Sequence, residues 1–108
     1  MTAPFSYETF LHILEHDDLF LIDETAFYFD DDPDETDHML GCLRDFDLPY
    51  WLGYCDIPGG CSFSTADDML NAGVFDGQSI KERWKHIILY NIGGIGTPDW
   101  LNMYQDNL

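Results

Sequence analysis

The sequence predicts a small α+β fold: a mostly antiparallel sheet of four to six strands with three or four short helices. Three observations carry that expectation. Short β-branched and aromatic runs, among them Ala26-Phe27-Tyr28-Phe29, Tyr50-Trp51-Leu52-Gly53-Tyr54-Cys55 and Ile87-Ile88-Leu89-Tyr90-Asn91-Ile92, have strand composition. Turn residues separate the runs at short intervals, which favours hairpins over long parallel crossovers. The segments with helical spacing are brief and begin at capping residues. The chain has 108 residues, 45% hydrophobic and 16% aromatic, which is apolar material for one core, so a single domain over residues 1–108 is expected.

The elements follow in order. Ser6 is placed to cap a first helix, in which Tyr7, Phe10, Leu11 and Leu14 fall at i, i+3, i+4 and i+7. That helix should end near His16-Asp17-Asp18, where two acids oppose its dipole. Leu19-Phe20-Leu21-Ile22 reads as a buried strand, Asp23-Glu24-Thr25 as a turn, and Ala26–Phe29 as the returning arm of a hairpin. An acidic loop is expected at about 30–38, with Pro33 stopping the ladder. Over His38 to Asp47, the spacing of Met39, Leu40, Cys42 and Leu43 fits a short helix that Gly41 weakens. The alternation of Met39-Gly41-Leu43 with Leu40-Cys42-Arg44 fits a strand, which is favoured here. Tyr50–Cys55, the turn Asp56-Ile57-Pro58-Gly59-Gly60 and Cys61-Ser62-Phe63 make the clearest hairpin. Thr65 caps a helix over Ala66–Ala72 with Asp67 and Asp68 in its first turn; Gly73 ends it and Asp76-Gly77 turns the chain. Ser79-Ile80-Lys81-Glu82 matches the capping-box pattern and opens a short helix through Lys85. After the strand Ile87–Ile92, Gly93, Gly94 and Gly96 form a loop. Thr97, as N-cap ahead of Pro98, then starts a final helix to Tyr104.

Charge sets the functional reading. Twenty-one acids against four bases give a net charge of −17. Residues 1–47 hold 14 acids and one base, Arg44, for −13; residues 48–108 hold seven acids and three bases, for −4. Direct binding to nucleic acid or to an anionic membrane is disfavoured, because both are polyanions. Solubility explains a charge of a few units, far short of this value. The densest stretch is Asp30-Asp31-Asp32-Pro33-Asp34-Glu35-Thr36-Asp37, with six carboxylates in eight residues. A patch that repels itself is expected to serve a positively charged partner. Asp17, Asp18, Asp23, Glu24, Asp30, Asp31, Asp32, Asp34, Glu35, Asp37, Asp45 and Asp47 are the candidate partner-binding residues, able to form a row of charges like that of phosphates if they share a face. Tyr50, Trp51, Tyr54, Trp84 and Trp100 are expected in or beside the core; the alternative is that one or two near the acidic face are interface anchors instead.

Other chemistry is weaker. Asp30, Asp32 and Asp34 have the spacing of the first ligands of an EF-hand, but Glu35 stands where that loop needs Gly and Gly41 where it needs Glu. His38, Cys42, Cys55 and Cys61 provide four zinc-type donors at a spacing that matches no pair of zinc knuckles. A cysteine nucleophile would need His12, His16, His38 or His86 beside it, and acidic surroundings raise a thiol's pKa. Ile92-Gly93-Gly94-Ile95-Gly96 lacks the Lys-Ser/Thr ending of a phosphate loop. No catalytic residue, metal or cofactor is therefore expected. The chain's start, Met1-Thr2-Ala3-Pro4, has no basic region or apolar core, so no signal peptide is expected. No apolar run approaches the roughly 20 residues that span a bilayer. Three cysteines without close pairs suit reduced thiols in a cytoplasm.

In size, acidity and lack of enzymatic motifs, the chain resembles the DNA-mimic inhibitors of phages and mobile elements, including antirestriction and anti-CRISPR proteins. The resemblance is compositional and matches no family motif, so it assigns no residue roles. It implies a non-enzymatic inhibitor that occupies the nucleic-acid or PAM-binding site of a bacterial defence nuclease, a basic nucleic-acid-binding protein. Two other classes fit the same composition: an immunity protein that neutralises a basic nuclease toxin, and a small metal-binding protein.

Overall fold

The computed structural model describes residues 3–16 and 24–104. Helix α1 (Tyr7–His16) precedes strands β1 (Glu24–Phe29), β2 (His38–Cys42), β3 (Tyr50–Gly53) and β4 (Cys61–Phe63). Helix α2 (Ala66–Asn71), strands β5 (Ile87–Ile92) and β6 (Ile95–Gly96), and helix α3 (Thr97–Tyr104) follow. The six strands form one sheet in the order β4-β3-β2-β1-β5-β6, and every neighbouring pair is antiparallel. This is the expected small α+β architecture.

Period-two alternation explains which side of the sheet is covered. Thr25, Phe27 and Phe29 of β1 are buried, and the register places Thr25 beside Leu40 and Leu40 beside Leu52. Together with Ile87 and Leu89 of β5, these residues make the covered face. The helices close it: Phe10, Ile13 and Leu14 of α1, Met69 and Leu70 of α2, and Trp100 of α3 belong to the same core cluster. The Tyr50 hydroxyl donates to the Leu14 carbonyl at 3.2 Å, joining β3 to α1. The opposite face carries Tyr28, Met39 and Trp51, half-buried, and Tyr90, 41% exposed.

Local chemistry sets the ends of the elements. The Thr9 N–H donates to Ser6 Oγ at 3.1 Å at the start of α1, and the Asp68 N–H donates to Thr65 Oγ1 at 3.1 Å at the start of α2. Asp76 and Gly77 take φ of 55° and 81°, a left-handed pair that turns the chain between bridged Phe75 and Gln78. The capping box is reciprocal: the Ser79 N–H donates to Glu82 Oε1 and the Glu82 N–H to Ser79 Oγ, both at 3.0 Å.

Several expectations change. The capping box opens turns that lead to a 3₁₀ segment, Trp84–His86, instead of an α-helix; β5 follows at once and leaves no length for α turns. Gly93 and Gly94, at φ of 60° and 82°, form a hairpin turn, and Ile95–Gly96 pairs with β5 where a loop was expected. Thr97 lies inside α3, and its hydroxyl donates to the Leu89 carbonyl at 2.6 Å, so it fastens the helix to the sheet. Glu24 and Thr25 begin β1 and do not form a turn. The expected strand Leu19–Ile22 lies outside the described residues; the partners of β1 are β2 and β5. Strand β3 ends at Gly53, because Tyr54 turns to a φ of 54°.

Candidate functional site

The acidic loop joins β1 to β2 at one end of the sheet, and its backbone is held by its own turns and by one bond to the segment before β5. The Asp30 N–H donates to the His86 carbonyl at 2.8 Å, the Asp32 N–H to Phe29 O at 3.1 Å, and the Glu35 N–H to Asp32 O at 3.1 Å. The Asp32 carboxylate turns back into the loop and takes the N–H groups of Asp34 and Thr36, both at 3.0 Å. The Thr36 bond and then the Asp34 bond hold its carboxyl below the ordinary value of 3.8.

Side chains from β5 and the segment before it pin the loop. Arg83 pairs with Asp31, and its guanidinium lies 4.1 Å from the centre of the Phe29 ring. His86 Nδ1 donates to Asp30 Oδ1 at 2.8 Å. The Tyr90 hydroxyl donates to Asp37 Oδ1 at 2.9 Å, and burial, then the Asp37 carboxylate, pushes the phenol above its ordinary value. Asp34 and Glu35 remain at the exposed tip, with Glu35 at a φ of 47°.

Beside the loop lies a cleft of about 520 Å³. Phe29, Phe75, His38 and Tyr54 provide its aromatic surface; Asp31, Asp32, Asp56 and Asp76 add carboxylates, and Arg83 adds one cation. The His38 ring centre is 5.5 Å from those of Phe27 and Phe29 and 4.9 Å from that of Phe75. His38 Nδ1 donates to the Tyr54 carbonyl, which makes Nδ1 the protonated nitrogen and fixes the ring. Tyr54 combines a positive φ with a side chain 71% exposed at the rim. Aromatic faces with carboxylates around them suit an organic cation such as a guanidinium or an ammonium group.

The ladder separates the predicted acids into two groups. Asp30, Asp31, Asp32, Asp34, Glu35 and Asp37 lie at the end where β1 finishes and β2 begins. Glu24 sits opposite Gly41 at the other end, where the β2–β3 connection carries exposed Asp45 and Asp47 among exposed Leu43, Phe46 and Leu48. Asp17, Asp18 and Asp23 lie outside the described residues. Of the aromatic candidates, Tyr50 and Trp100 are buried, Trp51 and Trp84 half-buried, and Tyr54 exposed. Sequence reasoning missed Arg83, Phe75, Asp56 and Asp76 as neighbours of the loop. The Asp76-Gly77 turn was visible, but not that it shares a cleft with Asp32, since no local pattern encodes that proximity.

Neither of the two metal-ligand sets weighed and set aside from the sequence gathers among the described residues. Asp32 accepts a backbone N–H at each carboxylate oxygen, and Asp32 and Asp34 belong to no cluster of metal-type donors among the described residues. Among the described residues, the three metal-type donors that gather within 4.8 Å of one another are Asp30, Asp31 and His86, all exposed. Arg83 already neutralises Asp31 there. No described helix is long and apolar enough to cross a membrane. Comparison with protein-family models, with curated proteins and with solved structures finds no match.

Proposed function

We propose that this protein is a stoichiometric inhibitor of a basic nucleic-acid-binding protein, a bacterial defence nuclease of the kind that anti-CRISPR and antirestriction proteins block. It presents carboxylates in place of phosphates and performs no catalysis. The observation that supports the reading best is the acidic loop itself. Its backbone is tied by turn bonds and by Asp32, so that Asp34, Glu35 and Asp37 stand exposed on an ordered support. An ordered array of charges costs a partner less conformational entropy to engage than a disordered acidic tail, and a net charge of −17 accelerates encounter with a basic groove. The aromatic cleft beside the loop offers an arginine or lysine of the partner a seat against His38, Phe75 and Tyr54, Arg83 already covering Phe29, and Tyr54 at its rim is suited to be an anchor. An immunity protein against a basic nuclease toxin would use the same physics on a different target.

The test compares the wild-type chain with the double variant Asp34→Asn/Glu35→Gln, neither of whose carboxylates anchors the loop. Immobilised protein is exposed to bacterial lysate at about 50 and 500 mM salt with duplex DNA as competitor. The expected result is capture of a basic nuclease at low salt, release by DNA, and at least about tenfold weaker capture by the double variant. Capture that DNA and salt leave unchanged, or capture of no basic protein, overturns the reading. Stoichiometric metal in the purified chain would redirect attention to Asp30, Asp31 and His86.

A further inference from the structure

We propose that Cys55 and Cys61 are a thiol-oxidation site, closing into a reversible intramolecular disulfide across the β3–β4 turn when a hydroperoxide is present. The bridge is independent of the partner-binding reading. Its geometry comes from the hairpin. Leu52 pairs with Cys61, so Cys61 opens β4, while Cys55 stands two residues past the end of β3. The intervening segment doubles back tightly. The Gly60 N–H donates to the Ile57 carbonyl at 2.9 Å, and a Cβ on Gly60 would lie 2.4 Å from Leu52 O and 3.6 Å from Gly53 Cα. The chain thus returns to Cys61 alongside the strand that Cys55 has just left.

Both cysteines are half-buried and pack on the edge of the core. Both line a second cleft, of about 890 Å³, together with Met39, Trp51 and Gly60. The Cys55 thiol donates to the Ile57 carbonyl at 3.8 Å within the turn; burial and then the neighbouring Cys55 push Cys61 up to about 11. Cys42 is buried on β2 opposite Tyr50, at the other end of the ladder, so the geometry distinguishes the Cys55–Cys61 pair from any pairing with Cys42.

The two thiols have different roles. Cys55, deprotonated as it attacks, forms an S–O bond to the hydroperoxide; the O–O bond breaks, and the departing oxygen takes up the released proton. Cys61 then acts as the resolving thiol. Its sulfur attacks the Cys55 sulfenic acid, its proton goes to the departing hydroxide, and water leaves. Two thiols are oxidised and one peroxide is reduced, yielding two waters when the oxidant is hydrogen peroxide. A small-molecule dithiol reverses the bond by exchange. Cys55 and Tyr54 line both clefts, so the bridge would hold the turn that separates them.

The chain's few cationic residues make the test direct. Trypsin cleaves after Arg44 and Lys81, which places Cys55 and Cys61 together in peptide 45–81 and Cys42 in peptide 1–44. The folded protein is treated with hydrogen peroxide, quenched in acid, alkylated with a maleimide under denaturing conditions, digested and weighed. The expected peptide 45–81 is lighter by two hydrogens and carries no maleimide until it is reduced, while peptide 1–44 is alkylated at Cys42. With Cys61→Ser, Cys55 should instead accumulate as sulfenic acid trapped by dimedone. Peptide 45–81 with two maleimides, with added oxygens alone, or cross-linked to peptide 1–44 overturns the proposal.

Discussion

Asp32 shows how one side chain sets the form of a charged loop. Its oxygens take the N–H groups of Thr36 and Asp34, an Asx-type arrangement that lets a run of like charges keep a defined backbone. Because those bonds favour the ionised form, the folded carboxyl titrates below 3.8. A group lowered in this way adds stability above its ordinary pKa and loses it as pH falls through the folded value. The Asp32 carboxyl carbon, followed by NMR, is expected to titrate with a midpoint below 3.8; a midpoint at or above that value would mean that the loop is not closed on Asp32. Tyr90 works in the opposite sense. Its phenol is raised above 10.0, so its contribution is complete below that pH and disappears as pH climbs through the folded value.

At the scale of the element, the β3–β4 hairpin depends on a close approach that only glycine permits. Gly60 has a φ of 83°, and an added Cβ would meet the Leu52 carbonyl oxygen at 2.4 Å. That oxygen belongs to a paired strand and cannot move aside cheaply. Gly60→Ala is therefore expected to destabilise the protein by more than about 1 kcal/mol in urea unfolding. An unchanged midpoint would show that the turn can reopen without cost. Gly59, at a φ of 81° with no atom near its would-be Cβ, meets only the conformational cost. The difference between the two positions separates crowding from backbone strain.

For the whole molecule, self-repulsion opposes the packing of the core. A covered sheet face with Trp100, Phe10, Phe27 and Phe29 fully buried holds together a chain of net charge −17. Screening should relieve that repulsion. Raising sodium chloride from about 20 to 300 mM is expected to raise the melting temperature by at least about 3 °C. A flat response would mean that local pairs such as Arg83 with Asp31 already balance the field. The same salt should weaken partner binding, so stability and affinity are expected to move in opposite directions.

The sequence by itself determined what depends on neighbours along the chain. Strand composition and turn residues located β3, β4 and β5, and Ser6, Thr65 and the Ser79–Glu82 pair marked their turns and helix starts. Pro33 and the run of acids defined the loop. Those signals act within a few residues, so one sequence window contains them. Tertiary structure alone decided that β1 lies between β2 and β5 and that β6 forms at all. It also divided those predicted acids that are described between two ends of the sheet, and set Arg83 against Asp31 and His38 against the Tyr54 carbonyl. Those contacts join residues 16 and 52 positions apart, and they arise because burying the aromatic face of the sheet selects one strand order over others that local propensity would equally allow.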